Sequence, residues 1–490
     1  MKKIDVRLRH ALYGVDATRG IEQAAQAALP PHKLMQRAGL AVAQLTLALA
    51  PHAGRIWIAC GPGNNGGDGL EAAMHLRQWG KHPIVTWLGD PAKTPEDAAA
   101  SWNRARAAGV EFAQTPPQSH DFCIDALLGL GSDKRAPEGR MATWIDAINA
   151  SDAPVLAVDL PTGLAADTGK AAQNCVRASH TLSLLTLKPG LFTADGRDAA
   201  GVVWLDDLGT HALEVTDQEN TLPTAWLGGL AASSTRQHAS HKGSYGDVAV
   251  VGGAAGMTGA ALLAASSALH AGAGRVFVGL LDGGSLAVDV NQPELMFRPI
   301  QDIDFSTATV VIGCGGRDAF SGHLSNVLLT CASLVIDADG LNLIGTDSTL
   351  QRQLRARAEQ SRSTVLTPHP LEAARLMGCN AQQIQADRLE AARELAQRFG
   401  CIIVLKGSGT VVAAPGQTPV INPTGNARLA TAGTGDVLAG MVGAALASGV
   451  DAFHAASDAV YRHGLLADQW TTAGVLVAGD LARSQNASKW

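Results

Sequence analysis

Three segments of the chain set carboxylate, amide and hydroxyl groups where short apolar runs end. Arg55–Cys60 leads into Gly61-Pro62-Gly63-Asn64-Asn65-Gly66-Gly67-Asp68-Gly69, nine residues with paired Asn and an internal Asp. Phe122–Leu128 carries Asp125 and leads into Gly129-Leu130-Gly131-Ser132-Asp133-Lys134-Arg135. Val155–Val158 leads into Asp159-Leu160-Pro161-Thr162-Gly163. Glycines in such turns let the backbone approach a ligand closely, and the N–H groups at a helix start favour a phosphate. Amide, carboxylate and hydroxyl oxygens suit a hard cation, and Asp159 could serve as an acid–base group. A single Asp after a strand is usually a cap or turn former. Asn65, Asp125 and Asp159 with Thr162, at three strand ends, together suggest a site.

A second set lies near the C-terminus, where Asn422-Pro423-Thr424-Gly425-Asn426 runs through Ala430-Thr431-Ala432 to Gly433-Thr434-Gly435-Asp436 and an apolar helix, Val437–Ala447. N–H groups at that helix start can stabilise charge on a transferred phosphoryl group. Asp436 can accept the proton of an attacking hydroxyl, although a lone Asp here would ordinarily just cap its helix. Val404-Leu405-Lys406-Gly407-Ser408-Gly409-Thr410 reads as a strand end and a Gly-rich turn suited to the phosphates or ribose of a nucleotide, with a solvated lysine as the plain alternative for Lys406. The GxxxxGK[ST] pattern is absent, so this is no P-loop. Thr367-Pro368-His369-Pro370 holds a histidine between two prolines. His241-Lys242-Gly243-Ser244-Tyr245-Gly246 precedes the first strand of this half, and Gly256–Ala261 opens its first helix.

The elements that must position these groups alternate nearly end to end. Short β-branched runs (Asp247–Val251, Thr309–Ile312 and Ile402–Leu405 among them) give way to glycine turns and then helical patterns, the signature of parallel βα units. The fold class is therefore α/β in both halves, with ligands at the carboxyl ends of the strands. A chain of 490 residues needs more than one core. The alternation lapses between about Asp206 and Ser240, which places the boundary near Leu222 and gives domains 1–221 and 222–490. Net charge is −6 with no basic run, which argues against nucleic acid or a membrane surface as partner. Seven scattered cysteines without a CxxC pair argue for free thiols in a reducing compartment. No secretory h-region and no long apolar span is present, so a cytoplasmic enzyme is expected, with a homo-oligomer as its assembly.

The motifs resemble two families. GxGNNGGDG, DALLGLG and DLPTGL, with Met35-Gln36-Arg37-Ala38-Gly39 upstream, look like the NAD(P)H-hydrate epimerase domain, Rossmann-like, over about residues 1–210. That resemblance implies that Asn64, Asn65, Gly66, Gly67 and Asp68, together with Gly129–Arg135, bind the hydrated dinucleotide. It also implies a potassium site at Asn65, Asp125 and Thr162, with Asp159 near the reacting centre. Thr162 stands where Ser is expected, and the hydroxyl survives. The HKGSYGDVAVVGG start, Asp337-Ala338-Asp339-Gly340-Leu341-Asn342, TPHP, KGSGT and GTGD resemble the ribokinase-like superfamily, and within it the ADP-dependent NAD(P)H-hydrate dehydratases, over about residues 235–485. This implies that Lys406–Thr410 and Gly435 hold the adenine nucleotide. It also implies that Ala260, Gly315, His369 and Asp436 face the substrate and that Asp436 activates its hydroxyl toward ADP, giving AMP and phosphate. Phosphoryl transfer brings Mg2+ as a further expected cofactor. Leu371, Arg317, Ala427-Arg428-Leu429 and Ala432 depart from the family pattern; Arg317 stands where a GPGLG-like loop closes with Gly.

The implied function is repair of hydrated nicotinamide cofactors: the R and S forms of NADHX and NADPHX exchange, and the S form is dehydrated. One rival is a vitamin or sugar kinase in the C-terminal half. TPHP, HKG and fusion to an epimerase weigh against it, since GTGD serves both chemistries. A second rival is a binding module in the N-terminal half, against which the oxygen groups at three strand ends weigh.

Overall fold

The computed structural model describes residues 1–131, 136–210, 222–229, 238–471 and 474–485. The chain divides into two compact units, one formed by Met1–Asp5 and His10–Trp226, the other by Val6–Arg9 and Leu227–Trp490.

In the N-terminal unit an eight-stranded sheet runs in the order Lys2–Lys3, Val202–Asp206, His180–Leu184, Val155–Val158, Phe122–Ala126, Arg55–Cys60, His82–Trp87, Glu111–Ala113. All neighbours are parallel except the first pair, where Lys2 and Lys3 lie antiparallel to Leu205 and Trp204. Side chains of a strand alternate between faces. Along Arg55–Cys60, Ile56, Ile58 and Cys60 enter the core under helices Lys33–Leu49, Asn64–Gln78 and Glu96–Ala107. Trp57 and Ala59 enter another core with Trp144, Ile145 and Ile148 of helix Arg140–Asn149. Both faces are thus covered, which is why these strands read as continuous apolar runs. The sheet grows in opposite directions from Arg55–Cys60 toward His82–Trp87 and toward Phe122–Ala126. Such a switch point opens a crevice at the strands' carboxyl ends.

In the C-terminal unit the sheet runs Met296–Phe297, Arg275–Leu280, Asp247–Gly252, Thr309–Ile312, Ser333–Ile336, Thr364–Leu366, Ile402–Leu405, Val411–Ala413, Val420–Ile421. It is parallel up to Ile402–Leu405 and antiparallel beyond. Its switch point lies between Asp247–Gly252 and Thr309–Ile312. Helix Thr434–Ala447 is buried along most of its length and crosses helix Thr258–His270 closely. A Cβ on Gly440 would stand 2.1 Å from the Ala264 carbonyl, so only glycine permits this crossing.

Several boundaries differ from the sequence expectation. The strand at Phe122 ends at Ala126, and the helix after GTGD begins at Thr434 rather than Val437. Trp79 caps its helix and is exposed instead of joining the apolar stripe. The lapse in alternation contains a short strand, Ala225–Leu227. The described cysteines are all free thiols, and among the described residues no helix is long and apolar enough to cross a membrane.

Candidate functional site

The turn after Arg55–Cys60 is short: the helix already begins at Asn64, so Asn64–Asp68 form its first turn. A Cβ on Gly66 would sit 2.0 Å from the Gly61 carbonyl, so this turn closes only with glycine there. Opposite, Gly129 follows Phe122–Ala126. A Cβ on it would lie 3.1 Å from Asn65 Oδ1 and 3.2 Å from Asp159 Oδ2. The structure therefore brings Asn65, Gly129 and Asp159 together on the wall of a cavity of about 310 Å3. Asn64, Asp68, Leu130 and Gly131 line the same cavity. Gly66 and Gly67 are buried behind it in the helix turn. Ser132, Asp133, Lys134 and Arg135 lie outside the described residues.

Asp159 takes a left-handed backbone (φ 68°), rare for a residue with a side chain, and its carboxylate pairs with the fully buried Lys188. Glu22, from helix Val15–Ala27, and Asp68 complete a carboxylate-rich wall. Burial, with the nearby Asp159 charge, raises the pKa of both, that of Asp68 well above the carboxylate range. Lys188 and Glu22 were not identified from sequence. The Leu187-Lys188-Pro189-Gly190 turn after an apolar run was the available signal for the lysine; Glu22 left none.

Asp125 and Thr162 form a buried knot beside this wall. Thr162 Oγ1 donates to Asp125 Oδ1 at 2.7 Å, and the Thr162 N–H donates to Oδ2 at 2.8 Å. The Leu127 N–H reaches Oδ1 at 3.2 Å. Burial still pushes Asp125 up to about 6 against these hydrogen bonds, and among the described residues no cation figures among its partners. Asn65 stands apart from the knot, against Gly129, and its buried Nδ2 has no hydrogen-bond partner among the described residues.

In the C-terminal unit the polar groups gather around Asp436. Gly433 adopts φ 88° and starts the helix, placing Asp436 in its first turn. Asp436, Asp337 and the Cys314 thiol have ligand-type atoms within 4.8 Å of one another. Burial first, then Asp337, pushes Asp436 up to about 6, while the Cys314 thiol donates to it and works the other way. Lys406 Nζ lies 2.7 Å from Asp337 Oδ1, which also accepts from Thr367 Oγ1 at 2.7 Å. Burial opposes the Lys406 charge, but Asp337 and Glu372 outweigh it and raise its pKa. Gly435 faces this pair, its Cβ direction 3.4 Å from Lys406 Nζ. The buried His463, lowered to about 4 by burial and therefore neutral, donates from Nε2 to the Thr434 carbonyl at 2.9 Å. It pins the helix start.

The other sequence-nominated residues take clear places. Ala260 and Gly315 adjoin at the switch point, 2.9 Å between the Ala260 Cβ and a Cβ built on Gly315. His369 caps helix Pro370–Met377: its Nδ1 accepts from the Leu371 and Glu372 N–H groups at 3.1 and 3.2 Å. That is the structural role a lone histidine most often has, and it leaves Nε2 half-exposed beside Glu372. Gly407 (φ 141°), Ser408, Gly409 and Thr410 form a turn underpinned by Arg388, which donates to the carbonyls of Leu405 and Lys406 at 3.1 and 3.2 Å. Arg388 and Glu372 gave no motif in the sequence.

A model of the NAD(P)H-hydrate dehydratase family matches residues 248–485, and a model of the YjeF-related protein N-terminus matches residues 31–190. The bifunctional NAD(P)H-hydrate repair enzyme Nnr of Escherichia coli is 34% identical over 487 residues, covering 96% of this chain and 91% of that protein. The ADP-dependent (S)-NAD(P)H-hydrate dehydratase of Neisseria meningitidis is 42% identical over 254 residues, 50% of this chain and 84% of that protein. Among solved structures, the ADP/ATP-dependent NAD(P)H-hydrate dehydratase of Bacillus subtilis, co-crystallised with ATP/Mg2+, is 33% identical, with a TM-score of 0.43 over 51% of this chain and 90% of that one.

Proposed function

Since this chain belongs to the family of bifunctional NAD(P)H-hydrate repair enzymes, we propose that it epimerises NADHX and NADPHX in the Asp159 cavity and dehydrates their S forms at Asp436 with ADP. The observation that carries this division is the pair of separate acid–base clusters. Each is built inside its own unit at the carboxyl ends of parallel strands.

In the N-terminal cavity the substrate's hydroxyl sits on the ring carbon beside nitrogen. The nitrogen lone pair assists C–O cleavage: an acid gives its proton to the departing hydroxyl, water leaves, and a carboxylate takes a proton from the water that returns to the ring carbon. Asp159 supplies the carboxylate, and Asp68, whose pKa burial raises, lines the same cavity and supplies the acid. Asn64–Asp68 and Gly129–Arg135 hold the dinucleotide. Potassium at Asn65, Asp125 and Thr162 would take an amide, a carboxylate and a hydroxyl oxygen, and Asp125 is a buried carboxylate with no cationic partner among the described residues. Bound there, it would supply the missing counter-charge.

In the C-terminal unit Lys406–Thr410 and Gly435 hold the nucleotide, while Ala260, Gly315, His369 and Asp436 face the hydrate. Asp436 takes the proton of the substrate hydroxyl as that oxygen attacks the terminal phosphorus of ADP, and the bond to the bridging oxygen breaks to release AMP. Lys406 and the helix start offset the charge that develops. The phosphate ester then eliminates: the C–O bond breaks, phosphate leaves and loss of a proton from the neighbouring carbon restores NAD(P)H. Mg2+ would accompany the ADP phosphates and neutralise their charge. The assignment of residues 1–221 and 222–490 to the two activities is part of this reading, as are a cytoplasmic setting and a homo-oligomeric assembly.

The test is incubation with mixed R and S NADH hydrate, potassium and Mg-ADP, followed at the NADH absorbance band against a no-enzyme control. Complete recovery is expected. Arrest near half would leave the N-terminal assignment without support, and no recovery, with ATP substituted as well, would favour a kinase.

A further inference from the structure

Lys188 is fully buried, yet it lines the substrate cavity through its contact with Asp159. Its ammonium has three protons and three acceptors: Asp159 Oδ1, the Leu184 carbonyl at 2.8 Å and Ser183 Oγ at 3.2 Å. None remains for a ligand. Asp159 Oδ1 is also engaged by the Leu184 N–H at 3.2 Å. The other oxygen, Oδ2, is the one that faces Gly129 and Asn65 across the cavity wall.

The segment that carries the lysine is folded for this contact. Leu185 turns with φ 63°, Ser183 Oγ donates back to the Thr186 carbonyl at 2.7 Å, and Thr186 Oγ1 meets Thr18 Oγ1 at 2.8 Å. Pro189 keeps Lys188 extended (φ −103°, ψ 141°). A buried ion pair is costly to form, and holding Asp159 left-handed adds strain. A chain that needed only a stable core would have no use for either.

We propose that Lys188 is a positioning residue for epimerisation: it saturates one oxygen of Asp159 and thereby presents the other to the substrate. The inference rests on the epimerase reading of the cavity and goes beyond it in assigning the carboxylate's orientation to one side chain. Among the described residues, the titratable and charged groups around Asp159 are Lys188 from its own side, Asp68 from helix Asn64–Gln78, and Glu22 and Arg19 from helix Val15–Ala27, with Asp97 of helix Glu96–Ala107 beyond. Of these, Lys188 is the cation in direct contact.

The experiment compares the full-length protein with Lys188→Met, Lys188→Arg and Ser183→Ala, measuring kcat and KM for epimerisation of R-NADH hydrate, with the melting of the N-terminal unit as the control for folding. In Lys188→Met, kcat is expected to fall about 100-fold, the range of general-base effects, while KM stays within about twofold, because Asp159 is present but no longer held. Lys188→Arg should restore much of the rate. Ser183→Ala, which keeps the charge and removes one acceptor of the ammonium, should lower kcat in the same direction by less. An unchanged kcat in Lys188→Met would overturn the inference. If Lys188→Met does not fold, an unchanged kcat in Ser183→Ala with a lowered melting temperature would overturn it as well. Failure of the unmodified protein to epimerise would instead remove the epimerase reading on which this rests.

Discussion

Asp159 and Asp436 end up near one another in chemistry by different constructions. Asp159 follows a central strand, takes a strained left-handed backbone and is neutralised from within by a buried lysine. Asp436 sits in the first turn of a long buried helix, and its nearest charged neighbour is another carboxylate, Asp337, with Lys406 satisfied one step away. The first site already pairs its carboxylate with an ammonium, as suits a reaction with a single substrate whose hydroxyl leaves and returns. The second carries uncompensated negative charge beside a positive helix end. Its balance changes when a nucleotide's phosphates and their counter-ion arrive, as suits a two-substrate transfer.

The sharpest way to break this contrast is to remove one carboxylate at a time while keeping its shape. Asp436→Asn is expected to lower dehydration of pure S hydrate by about 1,000-fold, within the range of general-base effects, while chromatographic R/S exchange stays at the unmodified rate. Equal loss of both activities would show that the two centres are not independent. Asp159→Asn should lower R/S exchange by about 100-fold and leave S-hydrate dehydration intact. The smaller factor is expected because Asp68 and Glu22 remain in the cavity as alternative proton carriers.

The same contrast explains what could be read in the sequence. Asn65, Asp125, Asp159 and Asp436 each stand at a strand end or helix start within a glycine-bearing motif, so local order alone marked them. The strands Arg55–Cys60, Val155–Val158, Thr309–Ile312 and Ile402–Leu405 were legible for a related reason: sheets covered on both faces make whole strands apolar. Lys188 lies 29 positions from Asp159, and Glu22 looks like an ordinary charge on an amphipathic helix. Only tertiary packing turns them into the cavity. Arg388 is hidden likewise: besides the Gln385 amide oxygen its partners are backbone carbonyls, which any residue supplies, so no sequence pattern records the pairing with the turn.

A difference in pH response should sharpen the comparison further. Asp436 must be deprotonated to accept the hydroxyl proton, and burial with Asp337 pushes it up to about 6. The dehydratase should therefore hold its rate above that value and lose it as pH falls through it, by roughly tenfold at about pH 5 for a single titration. Replacing Asp337 with Asn removes the neighbouring negative charge and should move this limb to lower pH. An unchanged limb would show that burial alone sets it.

The smallest effect tests a departure from the family pattern. Arg317 follows Gly315-Gly316 in the switch-point loop and adopts φ 47°, a conformation glycine takes freely. Its N–H donates to Asp339 Oδ2 at 2.8 Å, a bond that any residue keeps, and its side chain is exposed. Arg317→Gly relieves left-handed strain of about 1–2 kcal/mol but frees the unfolded chain, which returns about 0.5–1 kcal/mol. The net expectation is a gain of about 0.5–1 kcal/mol in the C-terminal unit, a rise of about 1–3 °C in its melting temperature. The N-terminal unit, which does not contain the loop, should melt as before. A fall in the C-terminal transition would mean that the arginine side chain, not the backbone it distorts, is what this loop retains it for.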